Sequence, residues 1–594
     1  MRFLITFVFL LTTVAVAQQL DRRYEYARSY EESGDWQRAA QLYETLYRQD
    51  PRQEYFEGLV RTYLQLHRYS ELDQFVQQRL QQQPSVDLAA LHGELLWKMG
   101  RMEAAKKAWD AAIALAPNNP ETYQTVATAQ LRNRLYSYAI ETLLRGRQQL
   151  DNPFLFAEDL IQLYGATQQY AEGTREALGL LKRKKTLSWI QGRIAAFLIS
   201  DKGVREVSAV LDSAAAIDDS PAFLMLYEWF LRETKQYDKA LEVVKQLDRY
   251  RQSPGMALFD FARLCFREGQ YQTALRAYEA VLQIGKRSPH YQAAMYGAVR
   301  SLEHLLLDSA KLDPEQLLEI EDRYYEIIER FPGTHFAAQS FYRLALLALQ
   351  YRNDLEQAEE YLKKAAAFRR FDQIAAQALL ALADLALRRN ALDSARSYYQ
   401  QVLLTYPRIL EAQLQAEYGL GMLEFYQGNL DSAKALFGKV AIHLDADAAN
   451  DALEKIVLLE TYRSEAEQAA IKLLAAGMLR QKQRQYKEAQ TLYQKALQRA
   501  GNSELAAYIQ LQLAHLFREQ RQLDEALTLL DRILKQYPYT VFADRILWLK
   551  GQIYESTKQK EKAVEVYSKI LLSYPRSPLV PFARERIKAL NGGV

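Results

Sequence analysis

At 594 residues the chain is too long for a single hydrophobic core, and it is poor in Gly (24) and Pro (15) while its 76 basic and 73 acidic residues nearly cancel. Long stretches of Ala, Leu, Gln, Glu, Lys and Arg without a β-rich run make an all-helical inventory, read as an array whose units pack only on their neighbours. The even charge argues against nucleic acid as a partner, because phosphates demand a concentrated basic surface.

At the amino terminus, Arg2 precedes an apolar stretch from Phe3 to Val14, and Ala15-Val16-Ala17 then supplies the small-x-small pattern cut by a signal peptidase. Residues 1–17 are therefore read as a signal peptide removed before Gln18; an uncleaved anchor is the other reading. A bilayer span needs about 20 apolar residues, so no integral membrane segment is expected after cleavage. Cys265 is the sole cysteine, which excludes an internal disulfide. It also excludes a lipoprotein, whose acylated cysteine would stand where this chain has Gln18. A periplasmic or secreted location follows.

From Gly34 onward one phrase recurs. Gly34-Asp-Trp-Gln-Arg-Ala-Ala-Gln-Leu-Tyr43 reappears as Gly269 to Tyr278, Asn390 to Tyr399 and Arg521 to Leu530. A turn residue leads, a large residue stands two on, an Ala five on, another large residue four later, and often a Pro eight after that. The Ala recurs at Ala39, Ala105, Ala139, Ala240, Ala274, Ala358, Ala395, Ala433, Ala489, Ala526 and Ala563, with large residues on the same helical face. A second small residue stands twelve positions upstream, as at Ala27, Gly93, Ala127, Ala262, Gly421, Gly477 and Gly551. Paired small residues on consecutive helices let the backbones approach, and a closing Pro, as at Pro51, Pro407 and Pro538, stops the second helix.

This pattern resembles the tetratricopeptide repeat, with small residues at positions 8 and 20, aromatics at 11 and 24 and Pro at 32. The resemblance covers almost all of the mature chain and implies a right-handed α–α superhelix, a solenoid of roughly fifteen helix pairs. Weak pairs fall near Leu72, Gly173, Ala209 and Ile320, and the spans 190–220 and 441–465 are helical by composition alone. The Lys182, Arg183, Lys184, Lys185 run is read as a solvated helix end. From Ala105 to Ala139 the step is 34 residues; from Ala489 to Ala526 to Ala563 it is 37. The expected organisation is an amino-terminal array over 18–288, a long-period array over 289–577, and a capping helix and tail over 578–594. Gly285 and Pro289 mark the change, and an additional helix is expected from Ala452 to Tyr462. The junctions at Phe331-Pro332, Tyr537-Pro538 and Tyr574-Pro575 resemble those of long-repeat bacterial envelope proteins of the outer-membrane assembly lipoprotein and Tol-Pal coordinator type. That likeness implies an envelope location and protein partners.

No catalytic or cofactor motif stands out. The seven histidines are dispersed, none at the i, i+4 spacing of a metal site, and no phosphate loop or nucleophile elbow occurs. Cys265 takes an aromatic position between Phe261 and Phe266 and is read as a packing thiol. Soluble lytic transglycosylases also build long α-superhelices, but Glu555-Ser556 and Glu32-Ser33 fall at turns within repeats, so that reading ranks last.

In the tetratricopeptide arrangement, positions 2, 5, 9 and 12 of each first helix face a concave groove. These positions give Tyr508, His515 and Arg518 in one unit and Arg545, Trp548, Gln552 and Glu555 in the next, a candidate partner-binding groove of aromatic and Arg anchors. The expected function is a non-catalytic envelope scaffold for protein or peptide partners, without cofactor or metal. The alternative is an accessory scaffold of polysaccharide export, for which an aromatic, acidic groove is expected.

Overall fold

The structure, a computed structural model, describes residues 19–307 and 313–592. The expected signal peptide lies outside them. Among the described residues fifteen helix pairs follow one another, interrupted by one inserted helix, Asp447–Thr461, and closed by a cap, Val580–Leu590. No strand occurs among the described residues. The degenerate span near 190–220 holds the Leu187–Phe197 and Asp201–Ala215 helices. The inserted helix starts five residues before the expected Ala452, because Asp447 to Ala449 already continue the helical run. At the change of period, a single 3-10 turn, Gly285–Arg287, leads into the long helices Tyr291–Leu307 and Pro314–Arg330.

Two compact units divide the chain, the first ending at Phe261 and the second starting at Ala262. That break falls inside the Met256–Arg267 helix, upstream of the change of period. Each unit is an all-α solenoid of stacked helix pairs. In the first unit, buried residues form one core from Leu20 to Leu95 and another from Ala89 to Tyr164.

Within a pair, the turn is made by one left-handed residue: Gly34, Gly100, Gly269 and Gly428, but equally His67, Arg134, Lys235, Arg521 and Lys558. The amide of the residue after it closes the helix end, as where Asp35 N donates to Tyr30 O (2.9 Å) and Gln522 N to Phe517 O (2.9 Å). These bonds hold the left-handed residue even where it carries a side chain.

The repeated Ala residues are fully buried. The glycines twelve positions upstream serve a more specific need than backbone approach. The aromatic ring at position 24 lies where their Cβ would be: a Cβ on Gly421 would stand 2.7 Å from Phe437 Cε1, and one on Gly477 2.7 Å from Tyr493 Cε1. Gly551 faces the Tyr567 ring in the same way. Gly551→Ala should therefore cost about 1–3 kcal/mol in overpacking, against roughly 1 kcal/mol that Ala gains over Gly in a helix interior, and so destabilise the carboxy-terminal repeats by up to about 2 kcal/mol net. A thermal melt unchanged by this substitution would refute the account.

The same aromatic bears a second contact. Tyr43 donates to Glu31 (2.7 Å), Tyr493 to Gln481 (2.7 Å) and Tyr567 to Glu555 (3.0 Å), each acceptor twelve residues earlier on the first helix. The acceptor then meets the following first helix: Arg61 Nε donates to Glu31 (2.6 Å), and Gln481 donates to Glu519 (2.8 Å). Arg586 of the cap pairs with Glu555 in the same manner. Rungs that run from a Tyr through a carboxylate or amide thus tie neighbouring repeats together.

Candidate protein-binding chamber

The expected groove is largely taken up by the chain itself. Tyr508 is 1% exposed and lies under the inserted helix, donating to Glu454 (2.7 Å) and accepting from Lys455 (3.0 Å). Tyr508 is therefore not a surface anchor. Arg545 pairs with the same Glu454, and Arg518 donates to Gln552 (2.7 Å). Trp548 packs on Tyr567, with ring centres 5.1 Å apart, and on Phe582 of the cap. Trp548, Gln552 and Glu555 do border one small groove of about 430 Å³, together with Ser556, Tyr567 and Arg586. Its carboxylate is already committed to Tyr567 and Arg586.

His515 sits against this network. Burial, reinforced by the Arg518 charge and opposed by Glu454, pushes its imidazole down to about 4. Because the folded pKa lies below the usual value near 6.5, the unfolded chain takes up the proton first, and stability falls as pH drops from about 6.5 to about 4. Between pH 7 and pH 5 the repeats around His515 should lose about 2 kcal/mol. Urea unfolding at the two pH values checks this, and His515→Gln should abolish that part of the loss.

A larger cavity, about 800 Å³, lies upstream within the second unit. Its walls are built mainly by four first helices: His335–Leu347, Asp372–Arg388, Leu410–Tyr426 and Glu465–Lys482. The last of these departs from regular stacking. After the inserted helix, Glu465–Lys482 returns against both Leu410–Tyr426 and Asp372–Arg388, and its Leu479 joins the apolar core of the preceding repeats. A seam of polar contacts closes the curl. Lys482 Nζ reaches Asp384 (2.8 Å), Gln483 donates to Leu387 O (3.3 Å) and Asn390 (2.9 Å), and Arg484 donates to Asn353 (2.7 Å). These partners lie 93 to 131 residues apart in sequence.

The chamber wall combines Tyr342, Tyr418 and Tyr426 with the exposed amides of Gln377 and Gln415 and with Arg343, Arg388 and Lys482. Burial raises all three tyrosines, so they present neutral hydroxyls. Arg343 is held by Glu303 and Lys482 by Asp384. Arg388 makes no hydrogen bond or ion pair among the described residues, which leaves one uncommitted cation beside apolar and aromatic walls. Such a lining suits an extended protein segment that carries apolar side chains and a carboxylate.

Sequence reasoning passed over this chamber although its signal was present. The same four groove positions, counted from Ala383, are Gln377, Leu380, Asp384 and Leu387, and counted from Gly421 they include Gln415, Tyr418 and Met422; all of these line the cavity. Among the described residues no helix is long and apolar enough to cross a membrane, and no three His, Cys, Asp or Glu side chains gather as metal ligands. Cys265 is fully buried.

The profile described as a tetratricopeptide repeat-like domain matches residues 419–590. Profiles described as tetratricopeptide repeat match residues 24–71, 342–408 and 86–119. No curated protein gives a significant sequence match. Among solved structures, the chain is similar to Naa15/Naa10 bound to HypK-THB at 13% identity over 96% of each chain, with a TM-score of 0.28. It is similar to yeast Tom70 at 12% identity over 93% of this chain and 99% of that one, with a TM-score of 0.25. A thermophilic TPR protein of Thermus thermophilus matches at 20% identity over 34% of this chain and 99% of its own, with a TM-score of 0.24.

Proposed function

Since the chain belongs to the tetratricopeptide repeat family, we propose that it is a non-catalytic scaffold for protein–protein interaction, exported to the bacterial cell envelope and serving assembly, cell-wall or secretion machinery there. The observation that carries the binding role is the chamber closed by the Lys482 to Arg484 seam, with Arg388 uncommitted on its wall. Stacked first helices supply a pre-formed concavity, so a partner segment would lose little free energy to reorganisation of the protein. The polysaccharide-export alternative called for an acidic groove; here Arg343 is paired with Glu303 and Lys482 with Asp384, so the charge left over is that of Arg388, which favours a carboxylate-bearing protein segment over a neutral glycan. The envelope assignment rests on the amino-terminal segment and the long-repeat junctions.

A photo-crosslinking amino acid at Gln377, whose side chain is exposed on the chamber wall, tests both parts in intact cells. Mass spectrometry of the adducts should identify envelope proteins, lost on Arg388→Glu, and the mature chain should begin at Gln18. Recovery of an intact Met1 from a cytoplasmic fraction would defeat the location. Adducts indifferent to Arg388→Glu would defeat the chamber.

A further inference from the structure

The inserted helix, which has no counterpart in the other repeats, presents a surface of its own on the side facing away from Tyr508. Leading into it, Ile442 is 74% and Leu444 72% exposed, and Val457 on its outer face is 59% exposed; Leu410, at the start of the preceding first helix, is 57% exposed. Asn450, Leu453 and Val457 follow one another at spacings of three and four, so they share one helical face, and the N-cap residue Ala446 leads into it. At the head of that face is a cleft of about 380 Å³, walled by Leu410, Leu414 and Ala446 and rimmed by Glu411, Asp445 and Asp447. Soluble proteins rarely leave apolar side chains grouped in this way without a partner.

The charge around the cleft is one-sided. Between Lys439 and Lys455 the chain carries Asp445, Asp447, Asp451 and Glu454 and no Lys or Arg. Lys455 itself is 7% exposed and turned to Tyr508, where it compensates Glu454 and Asp451 and leaves Asp445 and Asp447 at the cleft. Asp445 and Asp447 form no ion pair among the described residues, whereas Asp451 lies in reach of the Lys455 and Arg545 charges. An apolar cleft continuous with an apolar helical stripe and bordered by uncompensated carboxylates is complementary to an amphipathic helix with a basic polar face.

We propose that the outer face of the Asp447–Thr461 helix and the adjoining Leu410 cleft dock a cationic amphipathic helix of a partner protein, at a surface separate from the chamber. The docked helix would lay its apolar stripe along Val457, Leu453 and Ala446, seat one large side chain in the cleft, and set Lys or Arg against Glu411, Asp445 and Asp447. Repulsion by those carboxylates disfavours an anionic membrane surface as the occupant.

The probe is a fluorescein-labelled amphipathic peptide of Leu and Lys, about four helical turns long, titrated into the full chain by anisotropy. Saturable binding is expected in roughly the micromolar range and is expected to weaken about tenfold for Leu444→Glu and for the pair Asp445→Lys and Asp447→Lys. The matching Leu and Glu peptide should not bind. Val541→Glu, at an exposed apolar junction elsewhere in the second unit, should leave binding unchanged, and all variants should keep the parent melting temperature. Equal loss with Val541→Glu, indifference to the charge reversal, or concentration-dependent dimerisation abolished by Leu444→Glu would overturn the proposal. Arg388→Glu should leave this binding intact, so failure here and failure of the chamber are distinguishable.

Discussion

Glu454→Ala should destabilise the second unit by about 3–5 kcal/mol, the usual consequence of removing one partner from a buried charge pair. Lys455 is 7% exposed and keeps its charge because Glu454 (3.1 Å) and the Tyr508 hydroxyl (3.0 Å) receive it. The neighbouring Lys455 and Arg545 charges hold Glu454 down to about 2 despite its burial. Without the carboxylate, the buried Lys455 and the part-exposed Arg545 would both lose their anionic partner, and Tyr508 would lose its acceptor. The loss should be local, because a repeat array unfolds through its weakest interface. Hydrogen exchange should rise first in Asp447–Thr461 and Leu505–Glu519. Replacing both charges, as Glu454→Leu with Lys455→Met, should recover most of the stability, since apolar replacement of a buried pair is often neutral or favourable. Equal destabilisation by the single and the double variant would disprove the pairing argument.

Glu303→Ala should cost a similar amount, about 3–5 kcal/mol, at the head of the second unit. Glu303 is 2% exposed and gathers three donors: Arg300 (2.7 Å), Arg343 and Tyr324. Removing it leaves two guanidinium groups of like charge and a buried phenol without an acceptor. Tyr324→Phe, which spares the ion pairs, should cost only about 1 kcal/mol. Since Arg343 also forms part of the chamber wall, Glu303→Ala should weaken partner capture at Gln377 as well. Urea titration read beside the crosslinking yield checks both effects; a stable protein with unchanged capture would sever the link between this cluster and the chamber.

The repeat register was open to reading because its determinants are local. Ala at the crossing points, an aromatic four residues on, and a turn residue ahead of each second helix recur at set spacings, and each acts within one helix pair. Most of the pairs follow from counting them, whereas the helices of 190–220 and 441–465, the inserted one among them, are legible from composition alone. Even the Tyr43–Glu31 and Tyr567–Glu555 rungs are a spacing of twelve within one repeat.

The site was less open, for a reason that particular residues make plain. Tyr508 and Tyr418 both occupy groove positions of their repeats, and nothing in their own neighbourhood tells them apart. Tyr508 is buried because an acid and a lysine 54 and 53 residues earlier stand over it. Tyr418 lines the chamber wall because Lys482 and Arg484 have been brought to Asp384 and Asn353. Periodicity along the chain thus settles the helix pairs, their register and their buried stripes. Which groove is filled by the protein's own helix and which is left open depends on the curl of the stack, the sum of many small rotations between repeats. No short stretch of sequence carries that sum.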